Sequence, residues 1–368
     1  MTSTRTQWSL WGALAALAVV GSAKADDGAV FTIGNDRRGN EVLAFRRGND
    51  GQLHVAGSFP TGGLGSSDGL GSQGALVLSE DGGLLFAVDA GSNQISSFAV
   101  HGTSLRLVGH VSSGGMRPIS LTVHDDLLYV LNAGGDGNIT GFTVAEDGAL
   151  LPLSGSTRPL SGNATGPAQV EFTPDGEHLV VAEKATDRLD VYAVRDNGRA
   201  EGPVVHVSSG RTPFGFAFGR HGLLVVSEAF GGAAGAGAVT TYAPLGEEGA
   251  IRSISASVPD HQSAPCWVVI ARDGRVAFTS NTGSDSISAY RIDRDGRLVL
   301  LDPDGVAGTT GARSAPIDLA LTRGSRFLYA LDSGTAAISA FRVLPGGRLE
   351  AVPGASGLPA SAVGLAAH

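Results

Sequence analysis

Short apolar runs recur along the chain and are separated by polar turns. Residues 118–153 show the pattern most clearly, with four runs of five or six residues that are rich in Val, Ile, Leu and aromatic residues and bounded by Gly, Asp and Asn. Runs of this length and composition predict β-strands rather than helices. Because one four-stranded unit cannot bury its apolar faces alone, the pattern predicts several copies that pack against one another.

The number of repeat units follows from the third strand, because each third strand carries an aromatic residue inside an alternating run. The seven aromatic residues are Phe45, Phe98, Phe142, Tyr192, Tyr242, Tyr290 and Phe341. They lie 44 to 53 residues apart in the sequence. This is the period expected of the four-stranded blades of a β-propeller.

The first strand of the unit has six internal copies, and no copy precedes the second-strand segment at 30–34. The missing copy is SAVGLAAH, residues 361–368, at the end of the printed sequence. Pairing of this segment with the N-terminal strand would close the ring without an open edge. We therefore predict an all-β fold, in which residues 26–368 form one seven-bladed β-propeller whose first blade is closed by residues 361–368.

Residues 1–25 have the features of a signal peptide. Arg5 precedes an apolar run at 8–20, and Ala23-Lys24-Ala25 fits an A-x-A cleavage site before Asp26. The apolar run is shorter than the roughly 20 residues that span a bilayer, which favours a cleaved leader over a retained anchor. The sequence thus predicts a periplasmic or extracellular protein without membrane insertion after leader removal.

The charge balance restricts the partners. Residues 26–368 carry 24 basic and 35 acidic side chains, a net charge of −11. This balance argues against nucleic acid as a partner, because no basic footprint is present to hold it. A single cysteine, Cys266, excludes an internal disulfide and is expected to be a core thiol. We expect a monomer that binds a small molecule.

Polar side chains are predicted to collect at one end of the propeller channel. The starts of the first strands and the ends of the second strands meet there, and the second strands end in Asp89, Asn132, Glu183, Glu228, Asn281 and Asp332. The Asp and Asn residues are expected to cap their own turns, whereas Glu is a poor turn residue. Carboxylates around one channel could also hold calcium. No metal-binding motif accompanies them, so no metal or cofactor is assigned.

The blade motifs resemble those of lactonase-type seven-bladed propellers, a family that includes 6-phosphogluconolactonases and fungal carboxymuconate cyclases. The shared features are P-x-x-hydrophobic-x-F-x-P-D-G, I-S-x-[FY]-x-[VI] and D-G-x-L, and the resemblance covers residues 29–368. The segment LLYVLNAGGDGNITGF is also similar to the YVTN repeats of surface-layer propellers, which are binding or structural proteins.

The resemblance implies a catalytic His, Arg and Glu at the channel end. The Glu position matches Glu228, the Arg position falls on Phe214, and the His position falls near Ala168. Arg211 lies three residues before Phe214 and is the alternative source of a guanidinium.

The sequence is consistent with two functions. The first is hydrolysis of a small neutral lactone, with Glu228 as general base and Arg211 as oxyanion partner. The residues predicted to bind the ligand are Arg117, Gln169, Glu183, Phe214 and Asp332. The second is a non-catalytic propeller that binds a ligand or protein, with the long loops 61–74 and 230–237 as contact surfaces. These loops are either tolerated surface insertions or flaps over the channel.

Overall fold

A computed structural model describes residues 28–368, apart from the side chain of Glu247. The predicted signal peptide lies outside the described residues. The described chain forms seven antiparallel sheets, which are arranged as the blades of one ring. The prediction of an all-β, seven-bladed propeller is confirmed.

Each blade is a meander whose first strand lies at the channel and whose fourth strand lies at the rim. Blade 1 contains β1 (Gly28–Ile33), β2 (Glu41–Arg47) and β3 (Leu53–Pro60). Blade 2 contains β4 (Leu76–Leu78), β5 (Leu84–Asp89), β6 (Gln94–His101) and β7 (Ser104–Ser112). Blade 3 contains β8 (Pro118–His124), β9 (Leu127–Asn132), β10 (Asn138–Val144), β11 (Leu150–Pro152) and β12 (Arg158–Pro159). Blade 4 contains β13 (Pro167–Phe172), β14 (His178–Glu183), β15 (Arg188–Val194) and β16 (Ala200–Val207).

The remaining blades follow the same plan. Blade 5 contains β17 (Pro213–Phe218), β18 (Leu224–Glu228), β19 (Ala238–Tyr242) and β20 (Ser253–Pro259). Blade 6 contains β21 (Pro265–Ile270), β22 (Val276–Asn281), β23 (Ser286–Ile292), β24 (Leu298–Leu300) and β25 (Gly308–Thr309). Blade 7 contains β26 (Pro316–Leu321), β27 (Phe327–Asp332), β28 (Ala337–Val343) and β29 (Leu349–Ser356), and β30 (Val363–Ala367) returns to blade 1. Single-turn 3₁₀ segments lie at Arg220–Gly222, Phe230–Gly232, Glu247–Gly249 and Pro345–Gly347.

Strand β30 closes the ring. Blade 1 has the strand order β3-β2-β1-β30, so the end of the described chain supplies its channel strand. Val30 pairs with Ala367, and Ile33 pairs with Val363. The backbone N–H of His368 also donates to the carbonyl of Ala29 at 2.8 Å. The pairing predicted from the missing first-strand copy is therefore confirmed.

Blades 3 and 6 differ from the predicted four continuous strands, because their fourth strand is split. In blade 3 both β11 and β12 pair with β10. The Ser156 hydroxyl lies in the gap, where it accepts a hydrogen bond from Gly141 N at 2.9 Å and donates to Gly141 O at 3.2 Å. A side chain thus satisfies the backbone of Gly141 where the rim strand is interrupted.

The third-strand aromatic residues form the core between the blades. All seven are buried, with at most 3% of their surface exposed. The Tyr192 hydroxyl donates to the carbonyl of Pro159 in the preceding blade at 2.9 Å, and the Tyr290 hydroxyl donates to that of Val258 at 3.2 Å. The periodic aromatic residues therefore connect neighbouring blades.

A search of the described residues for membrane-crossing helices gave no candidate, because none of their helices is both long and apolar enough.

Candidate functional site

The channel has one end at which the first strands begin and the second strands end, and we call this end the mouth. Successive side chains on a strand point to opposite sides. Whether the last residue of each second strand faces the mouth or the blade interior therefore depends on the contacts of its side chain.

The polar residues that end the second strands point into the blades. The six residues from Asp89 to Asp332 that were predicted at the mouth are at most 1% exposed. Asp332 accepts a hydrogen bond from Ser339 at 2.6 Å, and Asn281 donates to Ser288 at 2.8 Å. These partners lie on the third strand of the same blade. The expectation that the Asp and Asn residues cap their own turns is wrong, because side chains of the third strand bind them.

Glu228 follows the same arrangement. Its carboxylate accepts hydrogen bonds from Gly210 N at 2.8 Å, from the Thr240 hydroxyl at 2.5 Å and from the Ser257 hydroxyl at 2.6 Å. The residue is fully buried. Burial raises the pKa of its carboxyl, and the three donors oppose that rise. Glu228 therefore joins β18 to β19 and to the connection from blade 4.

Glu183 lies beside a second buried carboxyl. Ser161 N donates to Glu183 at 3.0 Å and to Asp190 at 2.9 Å, so one N–H is shared between the two groups. The Glu183 carboxylate also accepts from the hydroxyls of Ser161 and Thr186, both at 2.6 Å. Burial and the neighbouring Glu183 raise the pKa of Asp190 to about 8. The Asp190 carboxyl therefore keeps its proton at neutral pH.

Arg211 lies on the surface beside the mouth. Its side chain is 78% exposed, and its Nε is 4.0 Å from the carboxylate of Asp187. The three donors to Glu228 do not include Arg211. The structure therefore does not join the two residues that the sequence predicted as a catalytic pair, and their catalytic roles stay a prediction.

A long loop crosses the mouth. We call residues 64–74 the strap; they are the greater part of the predicted long loop 61–74. The strap is held at its start by Ser67 N, which donates to Asn35 O in blade 1 at 2.8 Å. At its other end Ser72 donates to Ile119 O in blade 3 at 2.7 Å, and Trp267 in blade 6 donates to Ser72 O at 3.0 Å. The strap therefore spans the ring from blade 1 to blade 6.

The second long loop contacts the connections that precede blades 5 and 6. Within the predicted loop 230–237, Phe230 N donates to Arg211 O at 3.2 Å and Gly235 N donates to the Ser263 hydroxyl at 3.0 Å. The loop thus rests on the connections of blades 5 and 6. Whether either loop opens as a flap stays a prediction.

Beneath the strap lies a group of side chains that we call the mouth cluster, which consists of Arg117, Lys184, Phe214 and Trp267. The Lys184 Nζ lies 4.5 Å from the centre of the Phe214 ring, whose centroid is 5.0 Å from that of Trp267. Lys184 donates to Pro167 O at 3.1 Å and to Gly71 O of the strap. Arg117 donates to Gly69 O of the strap at 3.2 Å. Two cations and two aromatic rings therefore line this end of the channel.

Lys184 is the unusual member of the mouth cluster. Burial, aided by the positive charge of Arg117, lowers the pKa of its amine to about 8. Among the described residues, no carboxylate forms an ion pair with Lys184 or Arg117. Around Lys184 and Arg117 the mouth is therefore locally positive, although four of the six second-strand end residues predicted to lie there are acidic.

The channel continues below the strap as a cavity of about 260 Å³. Gln169 lies in its wall, where its carboxamide exchanges two hydrogen bonds with the backbone of Phe216 and donates to Glu171 at 2.7 Å. Burial raises the pKa of Glu171 to about 8 and that of Asp318 well above its usual value. The acidic groups of the channel therefore lie below the mouth, and Gln169 is used to join blades 4 and 5.

Sequence reasoning found Arg117 and Phe214 but missed Lys184. A signal was present, because Lys184 is the sole lysine of residues 26–368, a segment with 23 arginines. It follows Glu183 directly. The corresponding residues in five other blades are small, namely Ala90, Ala133, Ala229, Thr282 and Ser333.

A search for metal sites among residues 28–368 finds one group of three side chains whose ligand atoms lie close together: Asp175, Glu177 and His178. Both carboxylates are exposed, on the turn between β13 and β14. The end residues of the second strands, to which the calcium hypothesis referred, do not form such a group.

The ring of seven four-stranded blades defines the protein as a seven-bladed β-propeller. The model of the family described as "Lactonase, 7-bladed beta-propeller" matches residues 64–356. The chain belongs to this lactonase family, which confirms the resemblance seen in the sequence.

Individual relatives are distant. The 6-phosphogluconolactonase of Bacillus subtilis strain 168 is 22% identical over 306 residues, which cover 79% of this chain and 86% of that protein. A crystal structure of a candidate 6-phosphogluconolactonase from Bacteroides fragilis has a TM-score of 0.72 and 20% identity, covering 93% of this chain and 98% of the other. The periplasmic gluconolactonase of Pseudomonas aeruginosa has a TM-score of 0.68 and 17% identity, covering 89% and 96%. These two structural matches show a shared fold.

Proposed function

We propose that the protein hydrolyses a small neutral lactone at the mouth. The observation that carries this proposal is the mouth cluster, in which Arg117 and Lys184 both donate to strap carbonyls beside the Phe214 and Trp267 rings. Hydrolysis of a lactone develops negative charge on the carbonyl oxygen, which cationic donors stabilise. Aromatic faces bury the apolar face of a small ring. The cluster therefore offers both kinds of contact that this reaction needs.

The relatives support the reaction class. Their names describe a 6-phosphogluconolactonase and a gluconolactonase, and the second of these is periplasmic. We propose the same compartment or the cell exterior for this protein, with residues 1–25 as the export signal. Fractionation of the cells that produce it, followed by N-terminal sequencing of the secreted chain, tests this point. A first residue other than Asp26, or a chain retained in the cytoplasm, contradicts it.

A second candidate is a non-catalytic propeller that binds a ligand or protein. Two observations favour it. The strap covers the mouth, and Phe214 occupies the position where the resemblance implies a catalytic arginine. Glu228 would also need to exchange one of its three donors for water before it could act as a base.

The deciding experiment measures lactone turnover by purified residues 26–368 above the spontaneous rate. The panel contains glucono-δ-lactone, simple γ- and δ-lactones and a phosphorylated lactone. We expect turnover of neutral members, reduced about 100-fold in kcat/KM by Arg117→Met because an oxyanion donor is lost. Arg195→Gln, at an exposed ion pair with Glu201, is the matched control and should behave as the parent.

A Glu228→Gln variant tests the base predicted from the sequence. Loss of kcat in a variant with an unchanged Tm supports Glu228 as the base, and full kcat excludes it. A folded parent protein that turns over no lactone in the panel overturns the hydrolase proposal and favours the binding propeller.

A further inference from the structure

Lys184 has a position that other blades give to small residues. Glu183 ends β14 and points into the blade, where three donors bind its carboxylate. Lys184 is the next residue, and its amine points to the mouth, where it donates to Gly71 O of the strap. Ala, Thr or Ser follows the second strand in five other blades. One long amine therefore enters the mouth from blade 4 alone.

The chemical identity of this cation matters. Arginine cannot lose its proton in a protein, whereas the amine of a buried lysine can. The chain uses arginine at 23 positions between residues 26 and 368 and lysine at one. A structural contact with strap carbonyls needs only a donor, which arginine also supplies. The lysine at this position therefore points to a role in which the proton leaves.

Burial and the charge of Arg117 favour the neutral amine of Lys184, whereas the carbonyls of Gly71 and Pro167 favour its ammonium form. The titratable groups that face it are Arg117 from blade 3 and Cys266 from blade 6. Arg117 repels a second positive charge. Burial raises the pKa of the Cys266 thiol to about 12, so this group supplies no thiolate to pair with the amine at neutral pH. Desolvation and repulsion thus act in the same direction.

We propose that Lys184 is the acid–base residue of lactone hydrolysis at the mouth, an inference that rests on the proposed function. The neutral amine accepts a proton from water as the water oxygen bonds to the lactone carbonyl carbon. The ring C–O bond then breaks, and the ammonium returns its proton to the leaving alkoxide. The product is one hydroxy acid, and the amine is regenerated.

The strap suggests where the substrate sits. The carbonyl oxygens of Gly69 and Gly71 accept hydrogen bonds from Arg117 and Lys184. A lactone carbonyl oxygen offers the same acceptor to the same donors. The lactone therefore takes the place of these strap carbonyls, with Arg117 at the oxyanion and Lys184 beside the attacking water.

The first test does not depend on turnover. Residues 26–368 are labelled with trace acetic anhydride between pH 6 and pH 11, and acetylation of Lys184 is read by peptide mass spectrometry. The N-terminal amine is the internal reference, and Lys184→Arg provides a chain without lysine. We expect half-maximal reactivity near pH 8. A midpoint above pH 10, the value of an ordinary lysine, overturns the inference.

The second test is kinetic. In the parent protein kcat/KM is expected to rise with pH to a plateau above about 8. Lys184→Arg keeps the charge and the donors but should lose about 100-fold or more in kcat. Lys184→Met should lose as much, whereas Arg195→Gln should keep the parent profile.

The two proposals fail in different ways. Turnover by the parent that survives in Lys184→Arg overturns the role of Lys184 and leaves the hydrolase function intact. A parent without turnover overturns the hydrolase function and the inference with it, even if the labelling midpoint is near pH 8.

Discussion

The Gln73 side chain pairs with the backbone of Val268 across the mouth, although 195 residues separate them in the sequence. Gln73 Nε2 donates to Val268 O at 2.8 Å, and Val268 N donates to Gln73 Oε1 at 3.0 Å. One edge of a carboxamide carries an N–H donor beside the C=O acceptor, which matches the C=O and N–H of a single strand residue. The side chain therefore extends the hydrogen bonding of β21 by one pair of bonds and fixes the end of the strap to blade 6.

Removal of this pair should release the strap. Gln73→Ala leaves the N–H and C=O of Val268 without their partner, which costs about 1–3 kcal/mol for a buried group. We expect a lower Tm, and faster hydrogen exchange at the backbone amides of Ser67 and Gln73. Gln52→Ala in blade 1 is the matched control. Unchanged exchange across residues 64–74 in Gln73→Ala would show that the other contacts hold the strap alone.

The approach of blade 5 to the strap should require a glycine at position 215. A Cβ at this position would clash with Gln73 Oε1 and with the carbonyl oxygen of Cys266. We expect Gly215→Ala to lower the Tm by more than Gly39→Ala, because a Cβ at Gly39 meets no atom within 4 Å. Equal melting temperatures for the two variants would contradict the packing described at the mouth.

Closure by β30 should be essential for folding. Deletion of residues 360–368 removes the channel strand of blade 1 and exposes the edge of β1, so little soluble folded protein is expected. The control is the chain that begins at residue 26 and keeps its C-terminus. Circular dichroism and size-exclusion chromatography give the readout. A truncated protein that melts at the control temperature refutes closure by this strand.

Buried carboxyls should make the protein most stable in mild acid. Burial is the largest cause of the raised pKa of Asp190, Glu171 and Asp332, which are about 8, 8 and 7. The folded state therefore keeps protons that the unfolded chain loses near pH 4. Stability consequently falls as the pH rises from about 4 to about 8.

The corresponding measurement is the Tm at pH 5 and at pH 8, with a higher value expected at pH 5. Asp190→Asn should reduce the difference, because an amide replaces the protonated acid and does not titrate. Asp125→Asn is the control, since the Asp125 side chain is 80% exposed. A Tm that rises between pH 5 and pH 8 would contradict the buried, protonated state of these groups.

Local patterns were sufficient to predict the fold. The third-strand aromatic residues gave the number of blades, because each must be buried between two blades. The unmatched segment 361–368 predicted the closure that β30 makes. The split rim strand of blade 3 was not predicted, because the two hydrogen bonds between the Ser156 hydroxyl and the backbone of Gly141 leave no mark in the repeat pattern.

The site was predictable only in part. Phe214 and Arg117 were placed at the mouth from their positions in the repeat, and the structure brings both of them close to Lys184. Lys184 was missed because the prediction considered the residue that ends each second strand, here Glu183, and not the residue that follows it. Glu228 matched the resemblance by position, but its three donors come from Gly210, Thr240 and Ser257, which no sequence pattern identifies.

The sequence by itself determined the number of blades, the strand order and the closing strand, because repeat period and alternation act over neighbouring residues. Only the tertiary structure decided that the strap crosses the mouth and that Gln73 pairs with Val268. It also decided that Lys184 lies beside Arg117, Phe214 and Cys266. These contacts join residues of different blades. Their energies depend on the burial and the charges that exist only in the closed ring, so no local stretch of sequence could predict them.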